Sequence, residues 1–234
     1  DKNPNNLKKI NHNDDNDTVN SKKINNSIIL EHNQRNMINE GLKSASKNDL
    51  IIVSDIDEIP ILDGIDFEKS KNKIIFFKQQ MFYYKFNLLY QNFEWIGSKA
   101  CRKKDFISPQ WLRDTKNKKY PFWRIDTYFN KNKYTNIFLI ENGGWHFTQI
   151  KSSEGIFSKL NTFAHHADFK GSGLGLQDIS KAVKEKKVLY DHTADKDKQD
   201  HKWIGKKTLT TIELSSLPKY IIQNQEKFKE WIDN

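Results

Sequence analysis

The order of apolar and polar positions along the chain predicts a mixed α/β fold. Residues 50–53 (LIIV) form a continuous apolar run, which is typical of a strand that is buried on both faces. Over residues 31–47, Ile38, Leu42 and Ala45 recur with helical spacing and predict a helix that leads into this strand. A helix followed by a buried strand is the usual building unit of α/β proteins.

Four further strands are predicted after the first one. Residues 73–78 and 81–90 are rich in large apolar side chains, which alternate in the second segment and so share one face. Residues 136–140 and 144–148 predict short strands around the turn sequence NGG. Residues 97–135 are basic and aromatic without a clear period, and we expect them to be irregular.

Two more helices and one loop complete the predicted domain. Ser152 or Ser153 is expected to cap a helix, because apolar residues recur on one side of the segment that follows. Pro218 is expected to open a final amphipathic helix. Between them, residues 170–176 (KGSGLGL) predict a flexible Gly-rich loop.

The beginning of the chain has a different composition. Residues 1–26 are rich in Asn, Asp and Lys and have few apolar side chains to bury, so a loop or arm is expected. We therefore divide the chain into an Asn- and Lys-rich arm over residues 1–28 and one folded domain over residues 29–234.

Composition limits the class of protein and its partners. No apolar run approaches the roughly 20 residues that cross a bilayer, and Cys101 is the only cysteine, which fits a reducing compartment. A cytoplasmic protein of bacterial or viral origin is expected. The net charge of +9 indicates an anionic partner, such as a nucleotide diphosphate, an anionic glycan, a nucleic acid or an anionic membrane surface. The chain contains no recognised nucleic-acid motif, so no specific nucleic acid is expected.

The segment with the strongest chemical signal is IIVSDIDEIP at residues 51–60. Asp55 and Asp57 follow the predicted buried strand, where ligands of open α/β sheets bind. Side chains two positions apart at a strand end point the same way, so both carboxylates can face one ion. Hard oxygen ligands suit Mg²⁺ or Mn²⁺, and substrate phosphates usually complete the shell of such an ion.

Two other functions use similar features. Haloacid-dehalogenase-like phosphatases also place Asp-x-Asp after a strand, but Glu58-Ile59 follows here in place of the usual x-Thr or x-Val, and a later acidic motif is missing. A non-catalytic basic module that binds glycans or nucleic acids is the second alternative, because the chain carries a large positive charge.

Three blocks of sequence together resemble glycosyltransferase family 17, the bisecting N-acetylglucosaminyltransferase family. The first comprises QRN at 34–36, GL at 41–42 and DLIIVSDIDEIP at 49–60. The second is GWHFT at 144–148, and the third comprises KL at 159–160 and FAH at 163–165. The resemblance therefore covers roughly residues 30–170.

This resemblance implies a GT-A-like fold, a mixed sheet flanked by helices in a single domain. It also implies a UDP-sugar donor, with UDP-N-acetylglucosamine expected, a Mn²⁺ or Mg²⁺ ion, and inverting transfer to a hydroxyl of a glycan or glycoconjugate. The family's upstream Phe-Asn-Glu-Leu-like block is absent from this chain. We therefore expect an N-terminal segment, with one or more strands and any targeting signal, to precede Asp1.

Site residues follow from the motif and from the resemblance. Asp55 and Asp57 are candidates for the metal ion and the diphosphate, with Asp57 the preferred direct ligand. The resemblance implies His146 as a third ligand or a phosphate contact, and it implies Lys159 and His165 near the diphosphate.

The remaining assignments concern the nucleotide, the base and the sugar. Arg35 has a planar guanidinium that suits either the nucleotide or an acidic partner. Inverting transfer needs a general base at the acceptor hydroxyl. Glu58 is the first candidate for this base and Asp168 the second. The family often has its acidic residue one position before Asp168, where this chain has Ala167. Trp145 and the aromatic run at 82–84 are candidates for stacking on a sugar ring, or are core residues.

Overall fold

The computed structural model of the chain describes residues 4, 6–68, 72–116, 123, 137–162, 166–194 and 202–233. Within these ranges the protein is a single α/β domain in which seven strands form one mixed sheet flanked by helices. The strands are β1 (Leu50–Val53), β2 (Glu58–Pro60), β3 (Ile74–Tyr83), β4 (Leu88–Arg102), β5 (Ile137–Ile140), β6 (Gly144–Thr148) and β7 (Thr210–Thr211). The predicted fold class is therefore confirmed.

Strand β3 organises the sheet. One edge of β3 pairs antiparallel with β4, and its other edge pairs in parallel first with β5 and then with β6. Strand β1 pairs antiparallel with the second half of β4, β7 pairs with the start of β4, and β2 pairs antiparallel with β6. The β2–β6 register places Glu58 directly opposite His146. Two sequence blocks that are almost ninety residues apart thus meet on neighbouring strands.

The described helices lie at the two ends of the chain and after β4 and β6. They are α1 (Asn16–Asn36), α2 (Pro109–Asp114), α3 (Ser153–Thr162), α4 (His166–Gly171), α5 (Leu176–Lys184), α6 (Lys219–Gln223) and α7 (Gln225–Phe228). A 3₁₀ helix, Met37–Leu42, continues α1. No helix within the described residues is long and apolar enough to cross a membrane.

Buried side chains cover both faces of the sheet. On one face Ile51 and Val53 of β1 pack with Trp111 and Leu112 of α2. On the other face, half-buried Leu50 and Ile52 join a smaller cluster around Phe77. A third cluster joins the ends of β3 and β4 to helices α3, α4 and α5. The predicted burial of β1 on both faces is confirmed.

The prediction of a loop over residues 1–26 is wrong for its second half, which belongs to α1. This helix has no buried residue, so the apolar periodicity that predicts helices is missing from its sequence. Local polar contacts stabilise it instead. Asp15 caps its N-terminus by accepting a 2.7 Å hydrogen bond from the Thr18 amide, and Lys22 pairs with Asp14 at 2.7 Å. The predicted helix over 31–47 is α-helical only to Asn36.

The predicted strands are partly confirmed. The segments 73–78 and 81–90 were expected as separate strands, but β3 runs through most of the first and only into the start of the second, where it ends before Tyr84, which takes a left-handed backbone with φ of 64°. Residues 88–90 of the second segment belong to β4. Strand β4 and α2 occupy residues 97–102 and 109–114 of the segment 97–135 that was expected to be irregular, and residues 117–122 and 124–135 of this segment lie outside the described residues. Strands β5, β6 and helix α3 lie where they were predicted, although β5 and β6 pair with β3 and not with each other.

Candidate active site

A tight turn, residues 54–57, carries the two aspartates and is called the acidic turn below. It follows β1 directly, and the Glu58 amide donates a 3.0 Å hydrogen bond to the Asp55 carbonyl, which returns the chain into β2. Ile56 lies fully exposed at the tip. The two aspartate side chains have different partners in this structure, two arginines for Asp55 and His146 for Asp57.

Asp55 is bound by two guanidinium groups. Arg113 Nη2 lies 2.7 Å from its Oδ2, and Arg35 Nη2 lies 3.4 Å from its Oδ1. Arg35 also pairs with Glu31 at 2.8 Å and donates to Gln110 Oε1. Arg35 thus has acidic partners in this structure, and Asp55 anchors two arginines. The contact of Arg35 with the nucleotide stays a prediction.

Glu58 is the most buried carboxylate of the motif, with only 1% of its side chain exposed. Arg113 donates to both of its oxygens, at 2.8 Å to Oε2 and 3.1 Å to Oε1, and Trp95 Nε1 donates to Oε1 at 2.7 Å. The amide of Asp55 donates to Oε2 at 3.1 Å. These donors occupy both oxygens, so the carboxylate holds neighbouring side chains in place and has no oxygen directed to a substrate.

Gly97 makes room for this buried carboxylate. A Cβ atom at Gly97 would lie 2.0 Å from Glu58 Oε1 and 2.5 Å from Trp95 Nε1. Such distances are far inside van der Waals contact, so any side chain here would displace the carboxylate from its donors.

Asp57 is the carboxylate of the acidic turn that faces the second sequence block. Its Oδ2 lies 3.6 Å from Nε2 of His146, and 34% of its side chain is exposed. Burial alone would raise the pKa of Asp57, but His146 and the charge of Lys159 outweigh this effect and lower it. Two of the predicted site residues, Asp57 and His146, are thus brought together, and the charge of Lys159 is near enough to act on Asp57.

His146 is a buried residue on β6. Its ring lies 5.1 Å from the ring of Trp95, centroid to centroid, at 35°. Its Nδ1 atom is buried and has no hydrogen-bond partner among the described residues. Because Nε2 faces Asp57, the imidazole is oriented by packing and by this single carboxylate.

Trp95 also lines a cavity of about 480 Å³, which we call the aromatic cavity. Four aromatic side chains line it, Tyr83, Trp95, Tyr190 and Trp203. Its polar lining residues are Thr148, Gln149, Asp168 and His192. Trp95 thus contacts the His146 ring, binds Glu58 and lines the cavity at once.

The segment 190–193 fixes one wall of the aromatic cavity. Buried Asp191 accepts hydrogen bonds from Tyr90 at 2.5 Å and from the amide and hydroxyl of Thr193 at 2.8 Å each. Burial would raise the pKa of Asp191, but these hydrogen bonds and the charge of Lys207 lower it. His192 is held between the rings of Phe93, Tyr190 and Trp95. Burial lowers the pKa of His192, and the nearby His146 adds to this effect.

The remaining residues that were predicted for the site lie away from the Asp57–His146 contact or outside the described residues. Asp168 is exposed on α4 and lines the aromatic cavity, whereas His165 lies outside the described residues. Trp145 donates from Nε1 to the Ser216 carbonyl at 2.8 Å and packs in a core cluster, and it is not among the residues that line the cavity. Of the aromatic run 82–84, Tyr83 lines the cavity.

Sequence reasoning missed Arg113, His192, Tyr190 and Trp203. Arg113 lies in the segment that was expected to be irregular, and no motif distinguishes it. The sequence DHT at 191–193 was the available signal for the cavity wall, because an Asp two residues before Thr is typical of a local side-chain turn.

The donor atoms around Asp57 fit a divalent cation that a substrate also binds. Within the described ranges, no group of three or more His, Cys, Asp and Glu side chains is arranged to hold a metal by itself. The 3.6 Å between Asp57 Oδ2 and His146 Nε2 is close to the roughly 3 Å that separates neighbouring ligands of one ion. Protein sites for Mg²⁺ often supply one or two carboxylates and leave the remaining positions to phosphates and water.

One known family matches the chain. A family model described as glycosyltransferase family 17 matches residues 6–232, nearly the whole chain. No curated protein and no solved structure matches the chain.

Proposed function

The chain belongs to glycosyltransferase family 17 and is a glycosyltransferase, and we propose that it transfers N-acetylglucosamine from UDP-N-acetylglucosamine to a hydroxyl of a glycan. We further propose that the reaction inverts the anomeric centre and depends on Mn²⁺ or Mg²⁺. Family membership favours this function over the phosphatase and over the non-catalytic binding module.

The observation that carries the proposal is the contact between the acidic turn and strand β6. Asp57 and His146 meet there under the charge of Lys159, and Trp95, which contacts His146, also lines a cavity with aromatic and polar side chains. A charged site beside an aromatic cavity suits a substrate with an anionic leaving group and a neutral sugar.

In this proposal Asp57 and His146 hold the divalent cation together with the donor diphosphate. The ion offsets the negative charge that develops on the departing UDP. Lys159 adds a positive charge near the same oxygens, since its charge already acts on Asp57. Asp55 is not a ligand in this scheme, because it holds Arg113 and Arg35.

We assign the general base to Asp168 and not to Glu58. A base must reach the acceptor hydroxyl within hydrogen-bond distance, and Asp168 is an exposed carboxylate that lines the aromatic cavity. Glu58 is buried and receives hydrogen bonds on both oxygens. Its role in the proposal is to position Trp95 and Arg113.

Thermal unfolding with UDP tests the proposal. A ligand that binds only the folded state raises the melting temperature by mass action. UDP with Mn²⁺ should stabilise the wild type, and UDP alone should not. Asp57→Asn should abolish the shift, whereas Asp63→Asn should keep it, because exposed Asp63 pairs only with Lys219 among the described residues.

Two further measurements separate the parts of the proposal. Hydrolysis rates of UDP-N-acetylglucosamine, UDP-glucose and UDP-galactose test the sugar, and the anomeric configuration of a transfer product, read by NMR, tests inversion. If UDP with Mn²⁺ leaves the melting temperature of the wild type unchanged, the metal-dependent UDP-sugar assignment is wrong for this chain.

A further inference from the structure

The side chains of Glu58 and His146 lie on the same face of the sheet. The β2–β6 register places the two residues directly opposite each other, and opposite residues of an antiparallel pair point to the same side. Trp95 of β4 reaches both of them. Its Nε1 donates a 2.7 Å hydrogen bond to Glu58 Oε1, and its ring lies 5.1 Å from the ring of His146 at 35°. One indole thus connects a buried carboxylate with the imidazole of the candidate cation site.

The indole of Trp95 is restrained at its polar atom and at its ring. Glu58 holds its Nε1, and Arg113 holds both oxygens of Glu58 in turn. The ring of His192 lies 5.9 Å from the indole at 60°. The backbone at Gly97 leaves the space that this arrangement needs, because a Cβ atom there would lie 2.5 Å from Trp95 Nε1. The indole is therefore a firm surface for a neighbouring ring.

The imidazole of His146 needs such a surface. The torsion that turns a histidine ring has broad minima, so the backbone alone does not fix the ring. A histidine that binds a metal usually donates its second ring nitrogen to a carboxylate or carbonyl, which fixes its orientation. Nδ1 of His146 has no such partner among the described residues, and Nε2 lies 3.6 Å from Asp57 Oδ2, beyond normal hydrogen-bond distance. The ring contact with Trp95 therefore supplies an orientation that hydrogen bonds supply elsewhere.

We propose that Trp95 is a positioning residue for His146. The indole, held by Glu58, keeps Nε2 of the imidazole beside Asp57. This role rests on the proposed function, in which Asp57 and His146 bind the divalent cation of the donor. It also links the buried Glu58 carboxylate to the cation site through the indole.

A double-mutant cycle in the protein without ligand tests this positioning. The stabilities of Trp95→Leu, Asp57→Asn and the double variant are compared by urea unfolding. If Trp95 holds His146 against Asp57, either single change already loses the contact, so the double variant should lose less stability than the sum of the single losses. A Trp95 that only packs in the core should give losses that add. Trp95→Phe replaces Trp95→Leu in the cycle if the Leu variant does not fold.

Trp145 provides the matched control. It precedes His146 on β6, so its side chain points to the opposite face of the sheet. Its Nε1 also donates one hydrogen bond, at 2.8 Å to the Ser216 carbonyl, and both indoles are half-buried. Trp145→Leu therefore removes an equal side chain with an equal bond, and its loss of stability should add to that of Asp57→Asn.

Binding of UDP with Mn²⁺ gives a second measurement, by isothermal titration calorimetry. Trp95→Leu should raise the Kd of UDP at saturating Mn²⁺ by about tenfold, since removing a residue that orients a metal ligand typically costs this much or more. Trp95→Phe keeps a ring beside His146 and loses the bond to Glu58, so its Kd should lie between those of the wild type and Trp95→Leu. Trp145→Leu should bind UDP like the wild type.

The outcomes separate the positioning of His146 from the proposed reaction. Additive losses for Trp95 and Asp57 would overturn the positioning role, and the transferase proposal would stand if UDP with Mn²⁺ still stabilises the wild type. Overlapping losses in a wild type that binds no UDP would keep the positioning role and overturn the donor assignment. A weaker UDP affinity together with additive losses would mean that Trp95 contacts the nucleotide directly, and the positioning role would again be wrong.

Discussion

Arg113 and Glu58 form a two-point ion pair inside the protein, with Nη1 2.8 Å from Oε2 and Nη2 3.1 Å from Oε1. Arg113 also reaches Asp55 at 2.7 Å. One guanidinium thus ties the acidic turn to β2, and Glu58 in turn holds the indole of Trp95. The acidic residue after Asp-x-Asp is therefore part of the scaffold on which Asp57 and the aromatic cavity are placed.

Glu58→Gln should destabilise the protein by about 3–5 kcal/mol, because it leaves a buried arginine without its full counter-charge. The amide NH₂ group would also face Trp95 or Arg113, which are both donors. Urea unfolding followed by circular dichroism measures the loss. The matched control is Glu94→Gln, which breaks the half-exposed pair with Lys78 and should cost no more than about 1 kcal/mol. A Glu58→Gln protein with wild-type stability and no transfer activity would return Glu58 to the role of base.

Gly97→Ala should be even less tolerated. The added Cβ would overlap Glu58 Oε1 and Trp95 Nε1, so the carboxylate and the indole must separate. We expect a loss of about 3 kcal/mol or more in unfolding free energy. Gly41→Ala is the control, because nothing lies within 4 Å of its new Cβ. Equal stability of the two variants would show that the space beside Gly97 is larger than the structure indicates.

The sequence predicted the parts of the site that depend on neighbouring strands and missed the parts assembled from distant segments. The blocks around Asp57 and His146 were recognised because each carries a distinctive pattern, and the β2–β6 register explains why both are needed. The charge of Lys159, which the resemblance implied near the diphosphate, acts on Asp57. The hydrogen-bond partners of Asp55 and Glu58 could not be predicted from the sequence, because they depend on the position of distant residues such as Arg113 in the fold.

The aromatic cavity had no comparable signal. Its walls come from β3, β4, the end of β6, helices α3 and α4 and the segment after α5, and no periodicity links these residues in sequence. Helix α1 was missed for a different reason, because it buries no side chain and depends on caps and ion pairs. Apolar periodicity predicts which residues are buried, so it predicts neither the cavity nor helix α1.

The contribution of Asp191 to the stability of the folded protein should depend on pH in the acidic range. Its pKa in the folded protein lies below the ordinary value of 3.8. The unfolded state therefore takes up a proton first as the pH falls, and the contribution is complete above pH 3.8 and is lost below it. Asp191→Asn should lower stability at pH 7 by roughly 1–3 kcal/mol and should flatten the loss between about pH 5 and pH 2.

Unfolding free energies in urea at several acidic pH values measure this difference for Asp191. Asp63→Asn serves as control, because its exposed pair with Lys219 is screened by solvent, and its acid profile should follow the wild type. An Asp191→Asn profile parallel to the wild type would contradict the buried hydrogen bonds that Tyr90 and Thr193 donate.

Lys99 should also add stability as the pH rises, but in the alkaline range. Its Nζ donates 2.5 Å hydrogen bonds to the carbonyls of Arg113 and Thr115, and burial, with the charge of Arg113, lowers its pKa from 10.5 to about 8. Between pH 8 and 10.5 the unfolded state therefore binds more protons than the folded state, so the Lys99 term favours folding more as the pH rises. The full gain for this shift is about 3 kcal/mol.

Lys99→Met removes this term and leaves the other alkaline groups in place. The difference in unfolding free energy between wild type and Lys99→Met should therefore shift in favour of the wild type from pH 8 to pH 10. Lys78→Met is the control, because its pairs with Glu141 and Glu94 raise the pKa of Lys78, so its contribution is lost as the pH rises. A wild-type advantage that stays constant over this range would mean that Lys99 keeps its ordinary pKa, and that the carbonyls of Arg113 and Thr115 compensate for its burial.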